Sequence, residues 1–321
     1  MPMWRELASG EIKSGTIAAM PGTCGELFQG TLHGKPCLVS LPIDRWSFAR
    51  VKWRERPDLW YVPISRTKTL EAMRLAAKRW GRIGSASLDW ASQLPEGKGF
   101  GSSTADIAAA LFALAEALNR SLDPWEIIQL AVSIEPTDSS PLPNLALMDH
   151  RGGAWWEPLG PPPPMDVLIV DTGGTVDTMA FNRMDYAQVA IRYGDQHAAA
   201  FDYLESGLRS ECLRSVGEAA TLSARVQQKI LPKPYFDDIL SLSGQTGAVG
   251  VNVAHSGTLV GLLYAAGSVD QEHVSSYIER SLPSKFKLCW HRAVAGGARW
   301  IDRSHEVDVG LEFIKEMELL A

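Results

Sequence analysis

The sequence predicts an α+β protein of two domains, residues 1–160 and 165–321. The chain has 321 residues, which is long enough for two domains of ordinary size, each with its own core. Residues 16–51 have the composition of β-strands, and helical and strand patterns follow them in both halves of the chain. Four consecutive prolines at 161–164 are stiff and extended, which suits a linker between domains.

The overall composition is that of a soluble globular protein. Hydrophobic residues make up 45% and charged residues 21%, and no apolar run approaches the ~18 residues needed to span a bilayer. The formal net charge is −6 and no basic stretch alternates with aromatic residues, so we expect neither a nucleic-acid nor a membrane partner. The amino end lacks a signal-peptide pattern, which indicates a cytoplasmic protein. No pattern specifies an oligomeric state.

The four cysteines, Cys24, Cys37, Cys212 and Cys289, are widely spaced and include no Cys-x-x-Cys pair. This spacing argues against a zinc site, a redox dithiol and a disulfide framework. We therefore expect buried thiols that pack as small hydrophobic groups, with Cys24 left open because it lies in a glycine loop.

The first half begins with a strand at 16–20 that enters a turn at 21–26. Further β-rich runs are predicted at 38–43, 46–53 and 59–62. Glu26 in the turn is either a solvated charge or a ligand contact. Apolar residues then recur at helical spacing over 67–80, and an alternating pattern at 86–90 predicts a half-buried strand.

The most informative stretch is a glycine-rich loop that runs into an alanine-rich helix, residues 94–106. Ser102 or Ser103 can cap this helix, and Asp106 follows Ser103 at the spacing of a capping box. The free N–H groups and the dipole at such a helix start bind phosphate, although an ordinary strand-to-helix turn is an alternative. The loop is not a Walker A motif, because Lys98 is followed by Gly99 rather than by Ser or Thr, and the Rossmann spacing also fails.

The next helix is predicted to begin at Asp123, with Pro124 in its first position, and to run to Glu135. A carboxylate at this negative end of a helix is disfavoured by ~0.3–1 kcal/mol, so a positive charge should lie nearby. A solvated helix end and a metal ion on bound phosphates both account for Glu135. Asp138 follows in a turn-rich stretch that should lie at the surface of the same site.

The second half alternates strands and helices. Strands are predicted at 153–156, 166–170 and 285–290, and helices at about 183–206, 209–229, 235–243 and 270–281. Residues 248–264 are interpreted as two strands joined by a turn at 255–257.

Three loops, at residues 21–26, 95–105 and 252–261, resemble in order and spacing the three motifs of the GHMP kinases. The central motif, Pro-x-x-x-Gly-x-Gly-Ser-Ser from Pro95 to Ser103, is the most specific. The resemblance implies an amino-terminal half like domain 2 of ribosomal protein S5 and a ferredoxin-like carboxy-terminal half, with ATP and Mg²⁺ between them.

Within this family, blocks such as 102–109, 133–139 and 252–257 resemble the L-threonine kinases of cobalamin assembly. That resemblance implies phosphorylation of L-threonine to O-phospho-L-threonine, the precursor of the aminopropanol linker in the nucleotide loop. A kinase for homoserine, serine or an amino alcohol, and a non-catalytic ligand sensor, are the alternatives. A hydrolase built on Cys24 or Ser256 is disfavoured, because residues 254–258 lack a Gly-x-Ser-x-Gly elbow.

The resemblance also implies roles for individual residues. The implied ATP-binding residues are Pro95, Gly97, Lys98, Gly99, Phe100, Gly101, Ser102, Ser103 and Thr104. The implied substrate-binding residues are Cys24, Glu26, His255, Ser256 and Gly257. Ser103 and Glu135 are the implied Mg²⁺ ligands. Asp138 completes the catalytic set as the candidate general base, chosen from its position in the chain, and transfer without a general base is the alternative. Thr23 stands where some members have a lysine, so no lysine is available there to help ionise the acceptor hydroxyl.

Overall fold

The computed structural model describes residues 16–174 and 186–301, and every structural statement below concerns these ranges. The strands are β1 Ile17–Leu32, β2 Lys35–Arg54, β3 Ser85–Ser92, β4 Leu145–Met148, β5 Trp156–Gly160, β6 Met165–Asp171, β7 Gly250–Val253, β8 Leu259–Ala265, β9 Lys287–Arg292 and β10 Arg299–Ile301. The helices are α1 Thr67–Arg79, α2 Ser102–Ala117, α3 Pro124–Val132, α4 Tyr186–Arg209, α5 Leu213–Gln228, α6 Phe236–Gln245 and α7 Gln271–Ser281.

The described strands form one ten-stranded sheet in the order β5-β4-β2-β1-β7-β8-β6-β9, with β10 beside β1 and β3 beside β2. The ladders between these strands are antiparallel. This mixture of antiparallel sheet and helices confirms the predicted α+β class. The four prolines fall between β5 and β6, while β1 pairs with both β7 and β10 from the second half. The division into two domains stays a prediction.

The core is organised around α2, which packs on β1 and β2. Its apolar stripe, Ile107, Leu111 and Leu114, is fully buried, and its alanines let the sheet approach closely. On the other part of the sheet, a second cluster surrounds Tyr264 and Ile278. These cores fix the positions of β1, α2 and β7. The candidate site residues lie in β1, at the start of α2 and just after β7.

Most helices and strands lie where the patterns predict them, including α1, α2, β6 and α7. Asp123 caps α3 by accepting a hydrogen bond from the Trp125 N–H at 2.9 Å, as predicted, although the helix ends at Val132 rather than at Glu135. The first residues of the helix predicted at 183–206 lie outside the described ranges. Among the described helices, none is both long enough and apolar enough to span a bilayer.

The predicted turn at 21–26 is wrong, because these residues lie inside β1. The strand is irregular here, with three register shifts against β2 and a left-handed Gly25. Pairing with neighbouring strands on both sides therefore overrides the local turn propensity, and the small residues produce bulges instead of a reversal.

Other predictions fail at the edges of the sheet. Residues 59–62 form no strand and contribute one isolated bridge, from Tyr61 to Ser87. The strand predicted at 153–156 lies later, as β5, and the short strands β4 and β10 were not predicted. All four cysteines are described and free. Cys37 is buried as expected and Cys289 is partly buried, whereas Cys212 is exposed, so its predicted burial is wrong. Cys24, which the sequence left open, is also buried.

Candidate active site

The glycine-rich loop turns sharply before α2. Gly97, Gly99 and Gly101 all have left-handed backbone conformations, with φ of 69°, 101° and 65°. Gly101, rather than a serine, occupies the cap position of α2, and no side chain caps the helix. The predicted serine cap is therefore wrong, and the first N–H groups of α2 are left to face the cavity beside the loop.

Asp106 does not complete a capping box either. Its carboxylate accepts hydrogen bonds from Ser47 Oγ at 2.5 Å and Trp90 Nε1 at 3.0 Å, and forms an ion pair with Arg66 at 2.8 Å. Arg66 also binds Glu96 in the loop and lies over the Trp90 ring at 3.9 Å. Arg66 thus fastens the loop to α2, a role that the sequence patterns did not reveal.

The three loops meet at this point. The Thr23 N–H donates to the Phe100 carbonyl at 2.8 Å, and the Thr258 N–H donates to the Lys98 carbonyl at 2.8 Å. A Cβ placed on Gly257 would lie 2.1 Å from the Lys98 carbonyl oxygen, so only glycine permits this approach. The central loop is therefore hydrogen-bonded to the first loop on one side and to the third on the other.

A cavity opens where the loops converge. Its lining comes from the start of α1, the glycine-rich loop, the 135–138 turn, the middle of β1 and the segments that follow β4 and β7. The lining residues that were predicted as site residues are Glu26, Gly97, Gly99, Gly101, Ser102, Ser103, Thr104, Glu135, Asp138, His255 and Ser256. Five other predicted residues in the described chain are not in the lining: Cys24, Pro95, Lys98, Phe100 and Gly257.

Glu135 lies in the turn after α3, at the mouth of the cavity. Ser103 Oγ donates a hydrogen bond to its Oε1, and Lys68 Nζ lies 2.5 Å from its Oε2. Lys68 supplies the positive charge that the position of Glu135 led us to expect. The sequence could not identify it, because α1 meets the 135–138 turn only in the folded chain.

Two further carboxyl groups lie deeper in the cavity. Desolvation and the nearby charge of Glu135 raise the pKa of Asp138 to about 6, although a hydrogen bond with Thr104 works against this. Glu26 on β1 is only 3% exposed, so its interpretation as a solvated turn charge is wrong. Burial, and to a smaller extent the charge of Asp138, raises the pKa of Glu26 well above its usual range.

The imidazole rings of His150 and His255 also line the cavity. The rings of His150 and His255 pack edge to face with 4.8 Å between centroids, and His255 Nδ1 lies 2.8 Å from Gln29 Oε1. Burial lowers the pKa of His150 to about 3 and that of His255 well below its usual value, so both rings are neutral. His150, in the turn after β4, was not predicted because that strand was not recognised.

Two lysines support the loops from outside the cavity. Lys233 Nζ is buried and donates to the Gly257 carbonyl at 2.5 Å, and burial lowers its pKa to about 7. Lys98 Nζ forms an ion pair with Asp171 at 3.2 Å, and Thr258 Oγ1 donates to the same carboxylate at 3.3 Å. Both lysines therefore bind the third loop or the strand beside it.

Cys24 is also a supporting residue in this arrangement. Its Sγ is buried 3.9 Å from Asn252 Oδ1, and its carbonyl accepts a hydrogen bond from the Asn252 side chain. Burial raises the pKa of the thiol well above its usual range, so it is protonated and unreactive.

Comparison with known proteins agrees with this geometry. Residues 67–146 match the GHMP kinase amino-terminal domain. The chain is 38% identical over 250 residues to an L-threonine kinase of Salmonella typhimurium, covering 77% of this chain and 82% of the relative. It is 35% identical over 294 residues to an L-threonine kinase of Citrobacter freundii, covering 88% and 98%.

Solved structures share the fold at low identity. A homoserine kinase of Cytophaga hutchinsonii superposes with a TM-score of 0.67 at 15% identity, over 92% of this chain and 100% of that chain. A mevalonate kinase of Methanococcus jannaschii superposes with a TM-score of 0.65 at 14% identity, over 88% and 99%. The two L-threonine kinases are 35–38% identical to this chain over most of both sequences, so the protein belongs to the GHMP kinase family and is a kinase.

Proposed function

We propose that the protein transfers the γ-phosphoryl group of ATP to the side-chain hydroxyl of L-threonine, giving ADP and O-phospho-L-threonine. GHMP kinases use ATP, and the two curated relatives are L-threonine kinases. The observation that carries the proposal is the cavity where the three loops meet, because it brings the uncapped start of α2 together with the buried carboxyl groups of Glu26 and Asp138.

The triphosphate binds at the start of α2 in this proposal. The left-handed glycines let the backbone approach the phosphates, and the uncapped N–H groups of the first turn donate to anionic oxygens. Lys98 and Phe100 help to shape the phosphate loop through their backbones. Their carbonyls accept hydrogen bonds from the Thr258 and Thr23 N–H groups, which fixes the loop in place. Lys68, at the start of α1, adds a positive charge beside the same turn.

The residues present fit a Mg²⁺ ion. Mg²⁺ is commonly bound by one or two carboxylates together with substrate phosphates and water, rather than by an all-protein cage. Ser103 and Glu135 offer a hydroxyl and a carboxylate in direct contact, and the carboxylate already attracts the ammonium group of Lys68. Within 16–174 and 186–301 no cluster of three or more His, Cys, Asp or Glu is suited to a metal, so phosphates and water would have to supply the remaining ligands. The bound ion would neutralise charge on the phosphates.

Phosphoryl transfer needs mainly positioning and charge neutralisation. The threonine hydroxyl oxygen forms a bond to the γ-phosphorus while the bond to the β–γ bridging oxygen breaks, and the hydroxyl proton leaves. Asp138 is the candidate base, because it borders the phosphate loop and its raised pKa makes it more basic than an ordinary aspartate. Glu26, His255 and Ser256 line the acceptor end.

The wider role rests on the resemblance to L-threonine kinases. We propose that O-phospho-L-threonine made here supplies the aminopropanol linker of cobalamin, and that the protein acts in the cytoplasm.

The test is ADP release, measured by a coupled assay with Mg²⁺-ATP and four acceptors: L-threonine, L-serine, L-homoserine and 1-amino-2-propanol. We expect the highest kcat/KM with L-threonine, about 10–200-fold above L-serine, which is the usual range for one methyl group in an apolar pocket. A better acceptor among the other three would refute threonine as the substrate. Absence of ADP release with all four would favour a non-catalytic ligand sensor.

A further inference from the structure

The proposed acceptor end of the cavity holds two carboxyl groups, Glu26 and Asp138, with no cationic partner among the described residues. Glu26 is 3% exposed, and its Oε2 has no hydrogen-bond partner among the described residues. The cationic side chains in the lining are engaged elsewhere: Arg66 with Asp106 and Glu96, and Lys68 with Glu135. In the described chain, neither Glu26 nor Asp138 forms an ion pair with Lys, Arg or His.

Two unpaired carboxyl groups in a buried site are unfavourable by themselves. Two like charges close together in a desolvated site repel each other, and a buried oxygen without a hydrogen bond loses its hydration without compensation. The raised pKa of Glu26, caused by burial and by Asp138, reflects both effects. A ligand cation placed between the two carboxyl groups would remove the penalty.

The proposed acceptor carries a cation at a fitting position. In L-threonine the α-ammonium lies on the carbon next to the one that bears the hydroxyl. Asp138 borders the phosphate loop, because a Cβ on Gly101 would lie 2.5 Å from its Oδ2, and Glu26 is close enough for the two charges to interact. A hydroxyl directed at the phosphates beside Asp138 therefore brings its neighbouring ammonium toward Glu26.

Building on the proposed function, we propose that Glu26 binds the α-ammonium group of the acceptor. The enzyme then selects amino acids or amino alcohols over hydroxy acids, and Glu26 determines this part of the specificity. The γ-phosphoryl acceptor is the hydroxyl throughout, so the amine serves recognition only.

The test compares L-threonine with (R)-3-hydroxybutyrate, which is the same molecule without the amine. The wild-type kcat/KM is expected to be at least tenfold higher for L-threonine. Glu26→Gln keeps the size of the side chain but removes its charge, and should lower kcat/KM for L-threonine by about 10–100-fold, the range for a lost charge-assisted hydrogen bond, while leaving (R)-3-hydroxybutyrate nearly unchanged. The ratio of the two acceptors is the readout, because a structural defect would affect both equally.

Asp166→Asn is the matched control. Asp166 on β6 is also 3% exposed and also has a buried oxygen without a hydrogen bond in the described chain, but Arg292 Nε lies 3.7 Å from that oxygen and the residue lies outside the cavity lining. This variant should keep the wild-type acceptor ratio. If Glu26→Gln does not fold, calorimetry can compare the affinity of the wild-type enzyme for the two acceptors. Equal affinities would show that the amine is not recognised and would overturn the inference.

The outcomes separate the inference from the proposed function. Equal use of both acceptors by the wild-type enzyme would overturn the role of Glu26 while leaving the kinase assignment intact. A Glu26→Gln variant with an unchanged acceptor ratio but an altered Mg²⁺ requirement would also overturn it, in favour of a second metal ion. No phosphorylation of either acceptor would refute the proposed function itself.

Discussion

The contact between the central and third loops can be tested by Gly257→Ala. A Cβ at this position would lie 2.1 Å from the Lys98 carbonyl oxygen and 2.3 Å from Gly99 Cα, both of them backbone atoms. Ordinary contacts begin near 3.4 Å, so the loops must separate by about 1 Å. The backbone of Gly257 is not left-handed, so the effect comes from the contact alone.

The cost follows from two terms. Overpacking of this kind costs about 1–3 kcal/mol, and the separation also breaks the Thr258–Lys98 backbone hydrogen bond, worth about 0.5–1.5 kcal/mol. We expect the free energy of unfolding to fall by about 2–4 kcal/mol in urea titrations. The KM for ATP should rise at least about tenfold in the coupled assay, because misplacement of the loop by this distance affects both binding and orientation.

Gly244→Ala is the matched control for this substitution. Gly244 lies in α6 with no atom within 4 Å of the added Cβ, so alanine should be neutral or slightly stabilising there. The reasoning would be refuted if Gly257→Ala unfolded within about 0.5 kcal/mol of the wild type and kept its KM for ATP.

Three further predictions concern single side chains. Glu135→Ala should lower kcat by at least about 100-fold while the melting temperature stays within a few degrees, and near-normal ADP release would contradict its assignment as a metal ligand. Asp106→Ala should lower the free energy of unfolding by about 3–5 kcal/mol, because it leaves the Arg66 charge without its buried partner; a loss below 1 kcal/mol in urea would contradict the ion pair. Lys233 has a pKa of about 7 when folded and 10.5 otherwise, so the unfolded chain binds more protons between these values and stability rises with pH. From pH 7 to 9 the wild type should therefore gain about 2 kcal/mol relative to Lys233→Met, and a constant difference would contradict the burial of the Lys233 amino group.

The helices beside the site were predictable because their signals are local. The apolar stripe of α2 and the Asp123–Pro124 start of α3 depend only on neighbouring residues, and both appear as expected. The need for a cation near Glu135 followed from its place after a helix. The sequence could not show that this cation is Lys68, because Lys68 is 67 residues away and reaches the carboxylate only through the packing of α1.

The failures share a physical cause, which is tertiary contact overriding a local preference. Asp106 has the spacing of a capping box, but Arg66, Ser47 and Trp90 bind its carboxylate and draw it into the core. Glu26 lies in a glycine-containing stretch that predicted a turn, and a solvated charge was one of its two interpretations. Pairing of β1 with β2 and β7 buries it instead. The family resemblance implied Glu26 as a substrate-binding residue, and Asp138 was the candidate base, but the burial of Glu26 and its closeness to Asp138 could not be predicted from sequence.

The most direct test of the central claim is identification of the product. After incubation of the enzyme with Mg²⁺-ATP and L-threonine, we predict a new phosphomonoester signal in the ³¹P spectrum, split into a doublet by the single Cβ proton of threonine and equal in amount to the ADP formed. Inorganic phosphate and ADP without this signal, or no ADP at all, would contradict the account.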